Sequence, residues 1–202
     1  KWVYDDKISL DSNGAAYISK FKARLTAMGN FQREGVDFFD TYASVMRTQT
    51  FRLLLNIRLL EKGNHMDQWD VRAAFINAPF RDGEELYISQ PDGHEVEGRE
   101  DCVYMLDKAL YGTRQAAAAW QKYLKDLFIK AGFVPYLKDE ATYYAWTDDG
   151  KGYCFVGTHV DDLFPTYNEV GRPLRDRLWG VLTEGMVLTD EGEATWALKT
   201  RI

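Results

Sequence analysis

Apolar and polar residues alternate, cluster and break along this chain in a pattern that predicts most of its elements. Residues 2 to 29 read as extended segments joined at Asp11-Ser12-Asn13-Gly14, where Asn13-Gly14 supplies the positive-φ positions of a tight hairpin. From Thr50 to Lys62, the positions Phe51, Leu54, Leu55, Ile57, Leu59 and Leu60 predict a mostly buried helix with Gly63 as its C′ residue. A short strand is expected over Trp69 to Phe75, and another over Leu86 to Ser89 before the Pro91-Asp92-Gly93 turn. Ala116 to Ala131 is rich in helix formers, with Trp120, Leu124, Leu127, Phe128 and Ala131 on one face and Gly132 at its end. Tyr153 to Val160 and Phe164 to Tyr167 are β-prone runs on either side of Asp161-Asp162, a hairpin with two carboxylates at its tip. A helix at about Pro173 to Leu182 and a strand near Thr195 to Leu198 close the chain. Strands and helices interleave without strict βαβ alternation, so the expected class is α+β.

Composition bounds what such a chain does. With 202 residues, 46% of them apolar and 14% aromatic, it can bury the core of one large domain. Asn56 and Arg58 interrupt the longest leucine-rich stretch, so no segment approaches the roughly 18 to 20 apolar residues of a membrane span, and no membrane partner is expected. The chain starts at Lys1 without a leader pattern and reads as a fragment of something longer. Cys102 and Cys154 lack zinc-ligand spacing, and His65, His94 and His159 are scattered, which points to a reduced intracellular setting without a histidine metal site. A net charge of −6 argues against a dedicated nucleic-acid binder. Its distribution softens that objection, because residues 1 to 81 carry +3 and the remainder −9. Much of the excess lies between Asp82 and Asp101, a stretch that reads as a solvated loop.

The candidate chemistry lies in Asp161-Asp162. Two adjacent carboxylates on an apolar hairpin repel each other unless a cation lies between them. Acidic doublets also occur at Asp5-Asp6 and Asp148-Asp149, and the apolar flanks single out this one. If Asp70, on its own apolar strand, is brought alongside, the three form an oxygen-only site suited to Mg²⁺, with Mn²⁺ as a substitute. Such a site can hold two ions roughly 3.5 to 4 Å apart.

Ordered blocks along nearly the whole chain then carry a resemblance. These are Lys1-Trp2-Val3-Tyr4, Lys22 to Gly29 with Gln32 and Gly35-Val36-Asp37, Asp70-Val71-Arg72-Ala73-Ala74-Phe75-Ile76-Asn77-Ala78, Leu110-Tyr111-Gly112-Thr113-Arg114-Gln115-Ala116 with Trp120, and Val160-Asp161-Asp162. In this order they resemble the reverse transcriptase domain of copia-type retrotransposon polyproteins. The resemblance implies a fingers-and-palm fold over residues 1 to 202, an antiparallel palm sheet backed by helices, and a two-metal RNA-directed DNA polymerase. Asp70, Asp161 and Asp162 match its catalytic metal-binding carboxylates, and the Val71 carbonyl would complete one metal shell. Phe75 matches its steric gate against a 2′-hydroxyl; the alternative is a plain core ring. Gln115 matches a nucleotide contact, or is a polar residue at a helix start. Lys22, Arg24 and the amides of Ala73 and Ala74 would face the triphosphate, although Lys22 also reads as a solvated lysine. Lys108, Arg114, Lys122 and Lys125 would add a phosphate-tracking surface or a solvated helix face.

Implied partners are an RNA or DNA template-primer, deoxynucleoside triphosphates, and the integrase and ribonuclease H of the same polyprotein; neither a thumb nor ribonuclease H is expected within the chain. Implied localisation is a cytoplasmic virus-like particle, with the nucleus as the other compartment. Four features depart from the family pattern. His159 replaces a tyrosine expected to support the primer end, Pro165 interrupts the return strand of the carboxylate hairpin, Ala117-Ala118 replaces Pro-Arg, and Lys199 replaces a glycine near the primer grip. They support a competing expectation of a catalytically inactive or domesticated palm remnant that binds nucleic acid at most.

Overall fold

The structure, a computed structural model, describes residues 1–80, 83–197 and 200–201. The N-terminal hairpin forms where its pattern predicts, but its turn spans residues 11–15 and only Gly14 (φ 81°), not Asn13, takes a positive φ. Strands β1 (Trp2–Leu10) and β2 (Ala16–Leu25) pair antiparallel with a register shift between Lys7 and Ile8. At the turn, the Asp11 carboxylate accepts from the amides of Asn13 and Ala15, both at 2.8 Å.

Helix α1 (Thr48–Leu60) is less buried than its composition suggests. Phe51 and Leu54 are buried, whereas Leu53, Leu59 and Leu60 face solvent. Its apolar residues extend around more of the helix than the single stripe a sheet can cover. Gly63 does not serve as the C′ residue either: Glu61 already leaves the helix in an extended conformation, and Gly63 (φ 102°) makes the turn into β3.

Strand β3 (Asn64–Val71) starts well before Trp69 and stops at Val71, which places Phe75 in a 3-10 turn over Ala74–Asn77 and not in a strand. The early half of β3 escapes hydrophobic patterning because two of its inward residues are polar and satisfied. Asn64 donates to the Ile57 carbonyl at 2.6 Å, and Asp67 pairs with Arg175 at 2.9 Å and accepts from the Tyr167 hydroxyl at 3.1 Å. The guanidinium of Arg175 also lies over the rings of Trp69 and Trp179.

The remaining elements are β4 (Tyr87–Ser89), β5 (Val103–Met105), α2 (Ala116–Lys130), β6 (Val134–Tyr136), β7 (Asp139–Trp146), β8 (Tyr153–His159), β9 (Asp162–Asn168), α3 (Arg172–Gly185), β10 (Leu188–Glu193), β11 (Trp196–Ala197) and β12 (Thr200–Arg201). A six-stranded antiparallel sheet runs β10-β3-β9-β8-β7-β6, and β4-β5 and β11-β12 stand as separate ribbons. The mixed α/β class is as expected. Strands β5, β6, β7 and β10 were not evident in the pattern, since β6 contains Pro135 and β10 is largely exposed and acidic.

Strand alternation sends residues to two cores. Trp69, Val71, Leu163 and Tyr167 join Trp120, Leu124 and Phe128 of α2 and Leu178 and Leu182 of α3. Met66 and Phe164, on the opposite face, join Phe51 and Leu54 of α1. The sheet is therefore covered by α2 and α3 on one side and α1 on the other. This layering also separates the two cysteines. Cys154 is buried, which pushes its thiol pKa far up, and Cys102 is exposed. A thiol reagent should modify one cysteine in the native protein and two after denaturation; native modification of both would contradict the buried position of Cys154.

Candidate active site

Sheet register brings two of the three carboxylates opposite each other. Asp70 and Asp162 are directly opposite each other on β3 and β9, a placement that sets Cβ atoms about 4.5 to 5.5 Å apart. Because Trp69 and Val71 enter the α2-α3 core, alternation turns Asp70 to the other face, together with Gln68 and Asp162. Asp161 forms the tip between β8 and β9, and its carbonyl accepts from the Val71 amide at 2.8 Å. That bond fixes the end of β3 to the tip of the β8-β9 hairpin.

Charge is crowded here. Burial raises the Asp70 carboxyl above the ordinary carboxylate range, Asp161 raises it further, and Lys22 partly offsets both. Asp162 is raised first by burial and then by Asp161 and Asp70, against a 3.3 Å hydrogen bond from Gln68 and a weaker pull from His159. Mutual elevation of this kind is what a divalent cation relieves, and the all-oxygen donor set suits Mg²⁺ or Mn²⁺. Among the described residues, however, no three His, Cys, Asp or Glu side chains already converge as a metal-binding group.

Backbone strain borders the same site. Among the described residues, the non-glycine positions with positive φ are Ala73 (54°) and Val160 (58°), one just after β3 and the other just before Asp161. Each such residue costs about 1 to 3 kcal/mol and persists only where its surroundings over-determine it. Asn77 donates to the Arg72 and Ala73 carbonyls at 3.2 and 3.3 Å, and the Trp120 indole donates to the Val160 carbonyl at 2.7 Å. Trp120→Phe removes that donor while keeping an aromatic ring. It should cost about 1 to 2 kcal/mol, read as a lower melting temperature, and an unchanged melt would refute a role for the bond.

The other expected residues divide into two groups. Lys22 and Arg24 share one face of β2, two positions apart, and their charges reach the centre: Lys22 acts on Asp70, and Arg24 acts on Tyr111. Phe75 is half-buried, with its ring centroid 4.9 Å from that of Tyr111. Ala73 and Ala74 form the turn beside Asp70, and their amides make no backbone hydrogen bond among the described residues. Gln115, by contrast, is buried with both ends used. Its carbonyl oxygen accepts from Gln32 at 3.0 Å and its amide donates to the Asp37 carbonyl at 3.0 Å. Arg114 is likewise occupied, donating to the Gly29 carbonyl at 3.0 Å, whereas Lys122 and Lys125 are exposed.

Three departures noted in the sequence also have positions. His159 lies opposite Asp162, with its Nδ1 buried and unpartnered among the described residues. Pro165 leaves the β8-β9 register unbroken; the pairing of β3 with β9 instead skips Asp67 and Gln68. The missing N–H thus opens the ladder to β3 and does not distort the hairpin. Ala117 joins Phe75, Trp120 and Val160 around a cavity of about 120 Å³. Lys199 lies outside the described residues. Sequence reasoning missed Gln68, Tyr111 and Trp120 as contributors; the last two lie inside family-like strings but carry no local signal of their own.

A family model described as reverse transcriptase (RNA-dependent DNA polymerase) matches residues 1–175. The chain is 31% identical over 206 residues, all of its length, to the retrovirus-related Pol polyprotein from transposon TNT 1-94 of Nicotiana tabacum, and covers 14% of that protein. It is 31% identical over 169 residues, 84% of its length, to the Pol polyprotein from transposon RE2 of Arabidopsis thaliana, covering 11% of it. The Ty1-BL Gag-Pol polyprotein of Saccharomyces cerevisiae is 35% identical over 113 residues, 54% of this chain and 6% of that protein. No solved structure matches. The chain belongs to the reverse transcriptase family of copia-type retrotransposon Pol polyproteins.

Proposed function

We propose that residues 1–202 form the fingers (β1-β2) and palm (the six-stranded sheet) of an RNA-directed DNA polymerase that extends a primer 3′ end with deoxynucleotides. The observation that carries this reading is the opposition of Asp70 and Asp162, with Asp161 bonded through its backbone to Val71. Asp70, Asp161, Asp162 and the Val71 carbonyl would hold two Mg²⁺ ions. When bound, the ions lower the cost of ionising the primer hydroxyl and of charge on the departing pyrophosphate. Arg24 and Lys22 bind triphosphate oxygens from the hairpin side, and the Ala73 and Ala74 amides offer donors from the other. Phe75 lies under the sugar and excludes a 2′-hydroxyl. Gln115 holds the Gln32–Asp37 segment in place, and it reaches a nucleotide only by releasing one of those bonds.

The polymer partner is a template-primer of RNA or DNA. The matched Pol polyproteins extend far beyond this domain, so integrase and ribonuclease H are proposed partners within the same polyprotein. The engagement of both ends of Gln115 favours a second reading, a palm remnant that binds nucleic acid without catalysis. The full-length protein carrying this domain, given a primed RNA template, deoxynucleotides and Mg²⁺, should extend the primer. Retained template-primer binding without any extension would overturn the polymerase reading in favour of the remnant.

A further inference from the structure

The Phe75 ring does not stand alone. Its nearest aromatic neighbour is Tyr111, at 4.9 Å between centroids and tilted by 49°, inside the range where aromatic pairs attract beyond simple burial. Phe75 sits in a single 3-10 turn entered through the left-handed Ala73, so little regular structure of its own holds its ring. Tyr111 is held far more firmly. Its carbonyl accepts from the Ala27 amide at 2.7 Å, and the next carbonyl, of Gly112, accepts from the Gly29 amide at 3.0 Å. The backbones approach so closely that a Cβ on either glycine would lie 2.2 Å from a carbonyl oxygen across the joint. Tyr111 is therefore fixed to the root of the hairpin that carries Lys22 and Arg24.

The electrostatics agree with that placement. Burial raises the Tyr111 hydroxyl pKa, Asp161 and Asp70 raise it further, and Arg24 opposes them, so the hydroxyl lies within electrostatic reach of both the carboxylates and the hairpin.

We propose that Tyr111 is a specificity-positioning residue, a rigid backstop that sets how far the Phe75 ring projects toward the nucleotide sugar and thereby how strongly ribonucleotides are rejected. The inference rests on the polymerase reading and on Phe75 as its gate. A ring free to tilt away would admit a 2′-hydroxyl, whereas a ring held from behind does not. Packing of the flat ring, and not its hydroxyl, carries the effect.

The test is single-nucleotide incorporation by the full-length protein, with kcat and KM measured separately for deoxy- and ribonucleotides in wild type, Phe75→Ala, Tyr111→Leu and Tyr111→Phe. Tyr111→Leu should lower the deoxy-to-ribo ratio of kcat/KM by about five- to tenfold, the size of one aromatic-pair contact. The change should come mainly from a lower ribonucleotide KM, and Tyr111→Phe should keep the wild-type ratio. If Phe75→Ala lowers the ratio and Tyr111→Leu does not, the backstop is wrong while the gate stands. If Phe75→Ala leaves the ratio unchanged, the gate reading itself fails. A shifted ratio in Tyr111→Phe would assign the effect to the hydroxyl and overturn the packing argument. Should Tyr111→Leu fail to fold, Tyr111→His keeps a smaller flat ring: an intermediate ratio supports the proposal and a wild-type ratio overturns it.

Discussion

On the proposed polymerase reading, Asp161→Asn in the full-length protein should reduce nucleotide incorporation on the order of a thousandfold or more, because a carboxylate proposed to hold the metal ions loses its charge. The substitution is structurally mild. Asp161 is exposed, and its bond to the Val71 amide is made by the backbone and survives the change. Folding stability should therefore stay within about 0.5 kcal/mol of wild type, so loss of activity cannot be blamed on unfolding. Asp162→Asn provides the complementary case. Its carboxyl is raised by burial and by the other two aspartates, so the folded protein binds that proton more tightly than the unfolded chain. Metal-free stability contributed by this group accordingly falls as pH rises through and above the ordinary carboxylate range. Asparagine removes that cost and can still accept from Gln68. The variant should be inactive yet melt higher than wild type at neutral pH without Mg²⁺, and the gap should vanish at acid pH. Unchanged incorporation by either variant would sink the assignment of these carboxylates.

Gly112→Ala should destabilise the fold strongly although it adds one methyl group. Gly112 has φ 88°, and a Cβ there would sit 2.2 Å from the Ala27 carbonyl oxygen. A left-handed residue with a side chain costs roughly 1 to 2 kcal/mol, and relieving the clash costs about 1 to 3 kcal/mol more. Part of that clash is relieved by parting the Ala27–Tyr111 and Gly29–Gly112 bonds, which join the hairpin root to the turn before α2. The expected result is a loss of about 3 kcal/mol in chemical denaturation, with amide exchange accelerated first at Ala27 and Gly29. A wild-type denaturation midpoint would show that the joint is looser than its geometry implies.

The hairpin β1-β2, helix α2 and the carboxylate hairpin β8-β9 were legible because each carries its own signal: a turn dipeptide, a 3.6-residue apolar stripe, two β-prone runs around a polar tip. Strand β3 was half-missed because its interior accepts Asn64 and Asp67, whose polar groups are satisfied by Ile57, Tyr167 and Arg175. No local pattern reports a partner a hundred residues away. The helix at Thr48–Leu60 was overestimated in burial for the converse reason: its leucines look alike in sequence, and only the neighbouring sheet decides which of them is covered.

By itself the sequence determined the class of the fold, the order of its clearest elements and the family, and it singled out three aspartates as candidates, because these depend on local periodicity and on ordered strings of residues. Tertiary structure alone decided that Asp70 faces Asp162, that Val160 and Ala73 are strained beside them, that Gln115 is committed to Gln32 and Asp37, and that the Tyr111 ring packs against Phe75. Each of these is a matter of register or close approach between distant segments. A period of two or 3.6 residues tells a side chain which face it takes, and only the pairing of strands and the space at a glycine tell it what it meets there.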